Sequence, residues 1–78
     1  MVAIRTTGHL GPILQKLRKD KHWSQVELGR KLGLSQARIS VIEHHPEQMS
    51  VDQLLTVLMT LEADIQITSR NPLPRESW

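Results

Sequence analysis

Cysteine, phenylalanine and tyrosine are absent from this 78-residue chain, and its only aromatic residues are Trp23 and Trp78. Without cysteine there is no disulfide and no thiolate site for zinc or an iron–sulfur cluster. With so few aromatics, the core must be aliphatic. No apolar run approaches the roughly 18 residues that mark a membrane span. The opening MVAIRTTGHL carries one arginine but no apolar stretch of the signal-peptide kind, so a cytoplasmic protein is expected. There is no glycine-rich phosphate loop, no nucleophile with a nearby base and no carboxylate pair in an apolar setting, so an enzyme is not expected. The four histidines do not suggest a metal. His9 and His22 stand at opposite ends of one helical segment, His44 and His45 are adjacent and diverge, and no pair has i, i+4 spacing. No metal and no cofactor are expected.

What is present suits a small soluble domain, with 38% apolar and 23% charged residues. A chain this short buries only about 60% of its unfolded surface. With disulfides and metal excluded, oligomerisation is the favoured source of extra stability. The small net charge of +2 hides an asymmetry. Residues 1–38 hold eight basic and two acidic side chains, net +6; residues 39–78 hold two basic and six acidic, net −4. A basic half suits a polyanion, although two differently solvated surfaces would give the same arithmetic.

Residues 1–8 lack periodicity and read as an N-terminal arm. Leu10, Ile13, Leu14 and Leu17 then recur at helical spacing. Pro12 is best tolerated in a first turn, which puts the start of helix 1 near Gly11 and its end near Lys21-His22. Ser24-Gln25-Val26-Glu27 is a capping box opening a second helix over about 25–32, and Gly33 fits a left-handed end. Ser35 caps a third helix over about 36–43, with Ile39 and Ile42 inward. Ser50 caps a fourth, whose apolar stripe is Val51, Leu54, Leu55, Leu58 and Leu61, broadened by Val57 and Met59. Asp64-Ile65-Gln66-Ile67-Thr68-Ser69 alternates with period two, which predicts a strand over 64–70. Asn71-Pro72-Leu73-Pro74 breaks it, leaving 71–78 as a flexible tail.

Two short helices joined by a tight glycine-containing turn, with a helix before and after, make a helix-turn-helix. The run WSQVELGRKLGLSQARISVIE from Trp23 to Glu43 resembles the Xre/Cro-type helix-turn-helix of phage repressors and bacterial regulators. Gly29 departs from that pattern, standing where alanine is usual. Within the family the chain is most similar to the HipB antitoxins: it shares the Trp before the capping box, the Gly-Leu-Ser-Gln-Ala-Arg-Ile-Ser turn, the helix-4 leucines, the alternating segment and a tail ending in Trp. The resemblance implies an all-α, lambda-repressor-like domain of four or five helices over 9–63, with one short C-terminal β-strand that pairs in a homodimer. It also implies an autorepressor that binds double-stranded operator DNA and neutralises a HipA-like serine/threonine kinase toxin.

Helix 3 carries the candidate base-reading residues Ser35, Gln36, Ala37, Arg38 and Val41. Gln36 has the donor and acceptor that adenine N6 and N7 require. Arg38 has the fork for guanine or for a phosphate, and Ala37 is small enough to meet a thymine methyl. Ser24, Gln25, Lys31, Ser40 and His44 are candidate phosphate contacts, Gln25 by resemblance through its amide and its free backbone N–H. The resemblance makes Arg18 and Glu43 a buried structural ion pair, with a phosphate contact as the alternative for Arg18. Ile65 and Ile67 are candidates for dimerisation, because a lone strand cannot satisfy its own backbone. Trp78, projected by Pro72 and Pro74, is a candidate anchor for the kinase; a tail folded loosely over helix 4 is the alternative. Two other functions fit less of the pattern: a phage-type or restriction-modification controller repressor without a toxin partner, and a kinase-capturing protein with little DNA binding.

Overall fold

Serine placement sets where three of the four helices begin. The computed structural model describes residues 3–69, which hold α1 (Thr7–Asp20), α2 (Gln25–Leu32), α3 (Gln36–His44) and α4 (Val51–Thr60), with a 3-10 turn at Pro46–Gln48. Ser24, Ser35 and Ser50 each sit in extended backbone and accept a hydrogen bond through Oγ from the N–H three residues on, at 3.0–3.1 Å. Such caps contribute about 1 kcal/mol apiece by satisfying an otherwise orphaned donor. The capping box of α2 is half made, since Glu27 supplies its N–H but its side chain forms no reciprocal bond.

α1 begins at Thr7, a full turn before the expected start near Gly11. Pro12 removes only the bond to the Gly8 carbonyl, and Gly8 is exposed, so water satisfies that oxygen. The buried residues of α1 are Gly11, Leu14 and Arg18, a stripe of spacing three then four. Gly11 is glycine because α1 crosses α3 there: a Cβ at this position would overlap the backbone carbonyl oxygen of Glu43. Gly29 has a similar reason. A Cβ there would lie 2.5 Å from the Leu34 carbonyl oxygen and 3.3 Å from Ile39 Cγ1. The helix propensity lost at Gly29, up to about 1 kcal/mol, is offset by the close return of the turn.

α1, α2 and α4 end alike. His22, Gly33 and Glu62 adopt the left-handed conformation, with φ of 61°, 71° and 57°. The next residue in each case donates its N–H five residues back: Trp23 to Arg18, Leu34 to Gly29, Ala63 to Leu58. These are Schellman ends, and each folds an apolar residue (Trp23, Leu34 or Ala63) against the core.

The core is Leu14, Leu28, Ile39, Ile42, Val57, Leu58 and Leu61, all below 7% exposure and all aliphatic. Burying each contributes about 1.5–3 kcal/mol. α4 corrects the expected stripe. Val57 is fully buried, whereas Val51, Leu55 and Met59 are 71%, 49% and 72% exposed. Six apolar residues on ten helical positions make two stripes, and only one faces the core.

The strand expected over 64–70 is not formed: residues 63–69 have neither helix nor strand pattern. A strand exists only by pairing with another, and no other segment among the described residues offers an edge. Arg70 and the tail with Trp78 lie outside the described residues. No helix among the described residues is long and apolar enough to cross a membrane.

Candidate nucleic-acid interface

α2 and α3 are held at a fixed angle by the Gly33-Leu34-Ser35 turn, with Leu28, Gly29 and Ile39 packed between them. That packing turns Ile39 and Ile42 inward and leaves Ser35, Gln36 and Ala37 exposed at the start of α3, with Arg38, Ser40 and Val41 half-buried beside them. The N-terminus of α2 brings Gln25 next to this face.

Beneath it lies a buried polar network. Arg18 from α1 donates from Nε to Glu43 Oε2 at 2.6 Å and from Nη2 to Oε1 at 3.1 Å. Its Nη1 donates to the Trp23 carbonyl at 2.9 Å. Arg18 and Glu43 are only 7% and 3% exposed, so Arg18 has no free fork for a phosphate. Glu43 Oε1 also accepts from Gln25 Nε2 at 3.1 Å, and Gln25 Oε1 accepts from Gln36 Nε2 at 3.4 Å. Ion pair and surface glutamines are therefore one chain of hydrogen bonds. No buried side-chain polar atom among the described residues lacks a partner, which is what makes a buried charge tolerable.

The remaining candidates are placed with more variety. The Ser24 and Ser35 oxygens serve as helix caps, which leaves their hydroxyl hydrogens to donate outward. Arg38 bends toward α4, where Nη2 donates to Gln53 Oε1 at 2.7 Å. Nothing in the sequence flagged Gln53; its only signal is its place three residues after the Ser50 cap. Lys31 Nζ sits 4.5 Å from the centre of the Trp23 ring, and Lys21 Nζ 6.0 Å. Six residues on from Gln25, Lys31 is about 120° round α2 from it, away from the Gln25–Gln36 pair. His44 Nδ1 lies 2.8 Å from the Ser40 carbonyl oxygen, to which it donates, and 3.4 Å from Ser40 Oγ. His9 Nδ1 accepts from the Arg5 N–H at 3.2 Å, and His45 faces Glu47, also at 3.2 Å. The described residues hold no cluster of three or more histidines and carboxylates able to bind a metal.

Two short helices at this angle, one presenting an uncommitted polar first turn, define a helix-turn-helix domain. A family model described as a helix-turn-helix domain matches residues 3–70. Antitoxin HipB of Escherichia coli O6:H1 (strain CFT073) is 31% identical over 64 residues, which span 82% of this chain and 68% of that protein. Antitoxin HipB of Escherichia coli K12 is 28% identical over 74 residues, spanning 95% of this chain and 84% of that one. Among solved structures, a HipA-HipB-O2-O3 complex contains a chain that superposes with a TM-score of 0.80 at 25% identity, covering 91% of this chain and all of that one. A HipB-O4 20mer complex gives 0.79 at 25% identity over the same shares. The chain belongs to the Xre-type helix-turn-helix proteins, in the HipB-like family.

Proposed function

We propose that this protein is a DNA-binding antitoxin: a homodimer that recognises an inverted-repeat operator, represses its own operon and neutralises a HipA-like serine/threonine kinase. The observation that carries the DNA-binding part is the exposed first turn of α3, where Gln36 and Ala37 stand free of the core beside Gln25. Gln36 and Ala37 meet base edges, with Ser35 and Val41 at the margins. Gln25, Ser24, Ser40 and His44 meet phosphates, Gln25 through its backbone N–H at the positive end of α2. Arg38, drawn toward Gln53, reads guanine or a phosphate from the edge of the face; Lys31 contributes general positive charge.

Dimerisation explains the apolar surface left on α4. Val51, Leu55 and Met59 form an i, i+4, i+8 row, and Ile65 and Ile67 follow at 48% and 93% exposure. Two copies related by a two-fold axis would pair residues 64–69 as a ribbon and close it over both α4 rows. The kinase role rests on the relatives. The tail carrying Trp78 supplies the aromatic anchor that such interfaces favour.

The test is binding of the purified protein to duplex DNA from upstream of its own gene, by fluorescence anisotropy across a salt series. Saturable, sequence-dependent binding whose logarithm falls linearly with log salt is expected; equal affinity for scrambled duplex overturns operator recognition. The antitoxin role predicts a kinase gene next to this one and a stable complex of the two products. Removing 72–78 should weaken that complex tenfold or more, by a lost anchor of about 2 kcal/mol, and spare operator binding. Undiminished kinase affinity would remove Trp78 from the interface.

A further inference from the structure

We propose that Glu43, which no base can reach, is a positioning residue that sets which base Gln36 prefers; this rests on the reading of Gln36 as a base contact. A glutamine amide has two faces of opposite polarity, a carbonyl that accepts and an NH2 that donates, and rotation by half a turn exchanges them. Free in solution, Gln36 could present either. Adenine requires one donor and one acceptor, at N7 and N6 respectively, whereas guanine offers two acceptors, N7 and O6. A glutamine that can turn serves both bases.

The buried network removes that freedom one bond at a time. The carboxylate of Glu43, paired with Arg18, is an acceptor with no proton to give. Its Oε1 therefore holds the NH2 of Gln25 inward at 3.1 Å. Gln25 must then turn its carbonyl toward α3, and that carbonyl in turn accepts from Gln36 Nε2 at 3.4 Å. One N–H of Gln36 is committed. Its second N–H and its Oε1 are left for the groove, which is one donor and one acceptor, the complement of adenine. Had Gln36 turned its oxygen to Gln25, both amide hydrogens would be left, the complement of guanine. The polarity of a side chain 3% exposed is thus transmitted through two amides to the base edge.

The experiment is selection by the full-length protein from a duplex library randomised across an inverted repeat of about 20 base pairs, two half-sites one helical turn apart. The parent should select adenine at one position per half-site, and Gln36→Ala should lose that adenine. Gln25→Lys places a donor opposite Gln36, so its oxygen turns inward and the adenine-to-guanine ratio at that position should fall about tenfold or more. Gln25→Glu keeps an acceptor there. It should bind all duplexes more weakly but hold the ratio within about twofold, a change too small for a lost bidentate contact. A role for Gln25 in phosphate binding or stability alone lowers every affinity together and leaves the ratio where it was. If Gln25→Lys keeps the adenine that Gln36→Ala loses, the relay is overturned while base reading stands. If Gln36→Ala keeps it, the base contact itself is wrong and the relay falls with it. Glu43→Gln, checked by circular dichroism, is the direct variant. Should it fail to fold, the two Gln25 variants decide the matter.

Discussion

Where α1, α2 and α3 meet, each polar side chain is held by another; on the outer row of α4, the apolar side chains have nothing to hold. Arg18, Glu43, Gln25 and Gln36 form a continuous set of hydrogen bonds from core to surface. Val51, Leu55 and Met59 project into solvent with exposures from 49% to 72%. A polar surface can wait for its ligand, because water and neighbours satisfy it meanwhile. A row of exposed apolar side chains is unfavourable until another surface covers it. The first face is therefore complete within one chain, and the second is completed by another copy. In a fold whose core is seven aliphatic residues, the second surface also has stability to contribute.

The sharpest way to break this contrast is to strand a charge on the polar side. Glu43→Ala leaves the Arg18 guanidinium buried without its carboxylate, and loss of one partner of such a pair costs about 3–5 kcal/mol. That is a large part of the stability of so short a chain. Urea denaturation should find the variant mostly unfolded or close to it. Replacing both partners with apolar residues, Arg18→Met with Glu43→Leu, should recover much of the loss and still bind DNA poorly. A Glu43→Ala variant as stable as the parent would mean the pair is ornamental.

The apolar row answers to the opposite treatment. Leu55→Asp with Met59→Asp places charge on a face already exposed in one chain, so the monomer should lose less than about 1 kcal/mol, as for a surface change. Covered by a second copy, the same pair of charges should weaken dimerisation by about 2–4 kcal/mol, the scale of hot-spot loss at an interface. Ile65→Asp with Ile67→Asp should behave alike. Sedimentation equilibrium reads the dissociation constant directly. An undisturbed dimer in both variants would assign the row to a different partner.

The order of legibility in the sequence follows from these two faces. The three serine caps, the left-handed Gly33 and the inward Ile39 and Ile42 are local signals, and each stands where the residue type demands. The start of α1 was misjudged because a proline is costly only where the lost hydrogen bond is buried, and burial is a tertiary fact. The α4 row was misread as core because spacing reveals which residues share a face, not what the face meets. The bonds from Glu43 to Gln25 and from Arg38 to Gln53 span 18 and 15 residues. No local pattern encodes them. Gly29 looked like a propensity defect until the Leu34 carbonyl was found against it.

A smaller effect tests the reading edge of the polar face. Gln36→Ala should lose about 1–3 kcal/mol of operator affinity and relax base preference at its own position. Arg38→Ala separates two roles. Loss confined to operators with guanine at one position means a base contact, whereas a uniform loss with a salt slope lower by about one means a phosphate. Gln53→Ala, which frees the Arg38 guanidinium from its 2.7 Å bond, should shift whichever of these the arginine performs. If neither variant changes operator binding, Arg38 is a clasp between α3 and α4.

The smallest expected effect concerns how the helices end on either side of the contrast. The turn into α3 uses Gly33 at φ 71°, while the turn into α2 uses His22 at 61° and the turn out of α4 uses Glu62 at 57°. A side chain in this region crowds its own carbonyl, at roughly 1–2 kcal/mol, and glycine avoids that at some cost in unfolded-state entropy. His22 is exposed and its side chain makes no hydrogen bond among the described residues, so His22→Gly should stabilise by on the order of 0.5–1 kcal/mol. For a domain of this size, 1 kcal/mol moves the melting temperature by about 4–8 °C. Gly33→Ala is the mirror experiment. A Cβ there meets nothing within 4 Å, so whatever it loses is backbone strain alone. Glu62→Gly should gain less than His22→Gly, because Glu62 also accepts from Lys21 Nζ at 3.1 Å and that exposed pair contributes a few tenths of a kcal/mol. Scanning calorimetry of the three variants ranks them. Equal melting temperatures for His22→Gly and the parent would show that the Trp23 N–H bond to Arg18 and the packing of Trp23 already absorb the strain.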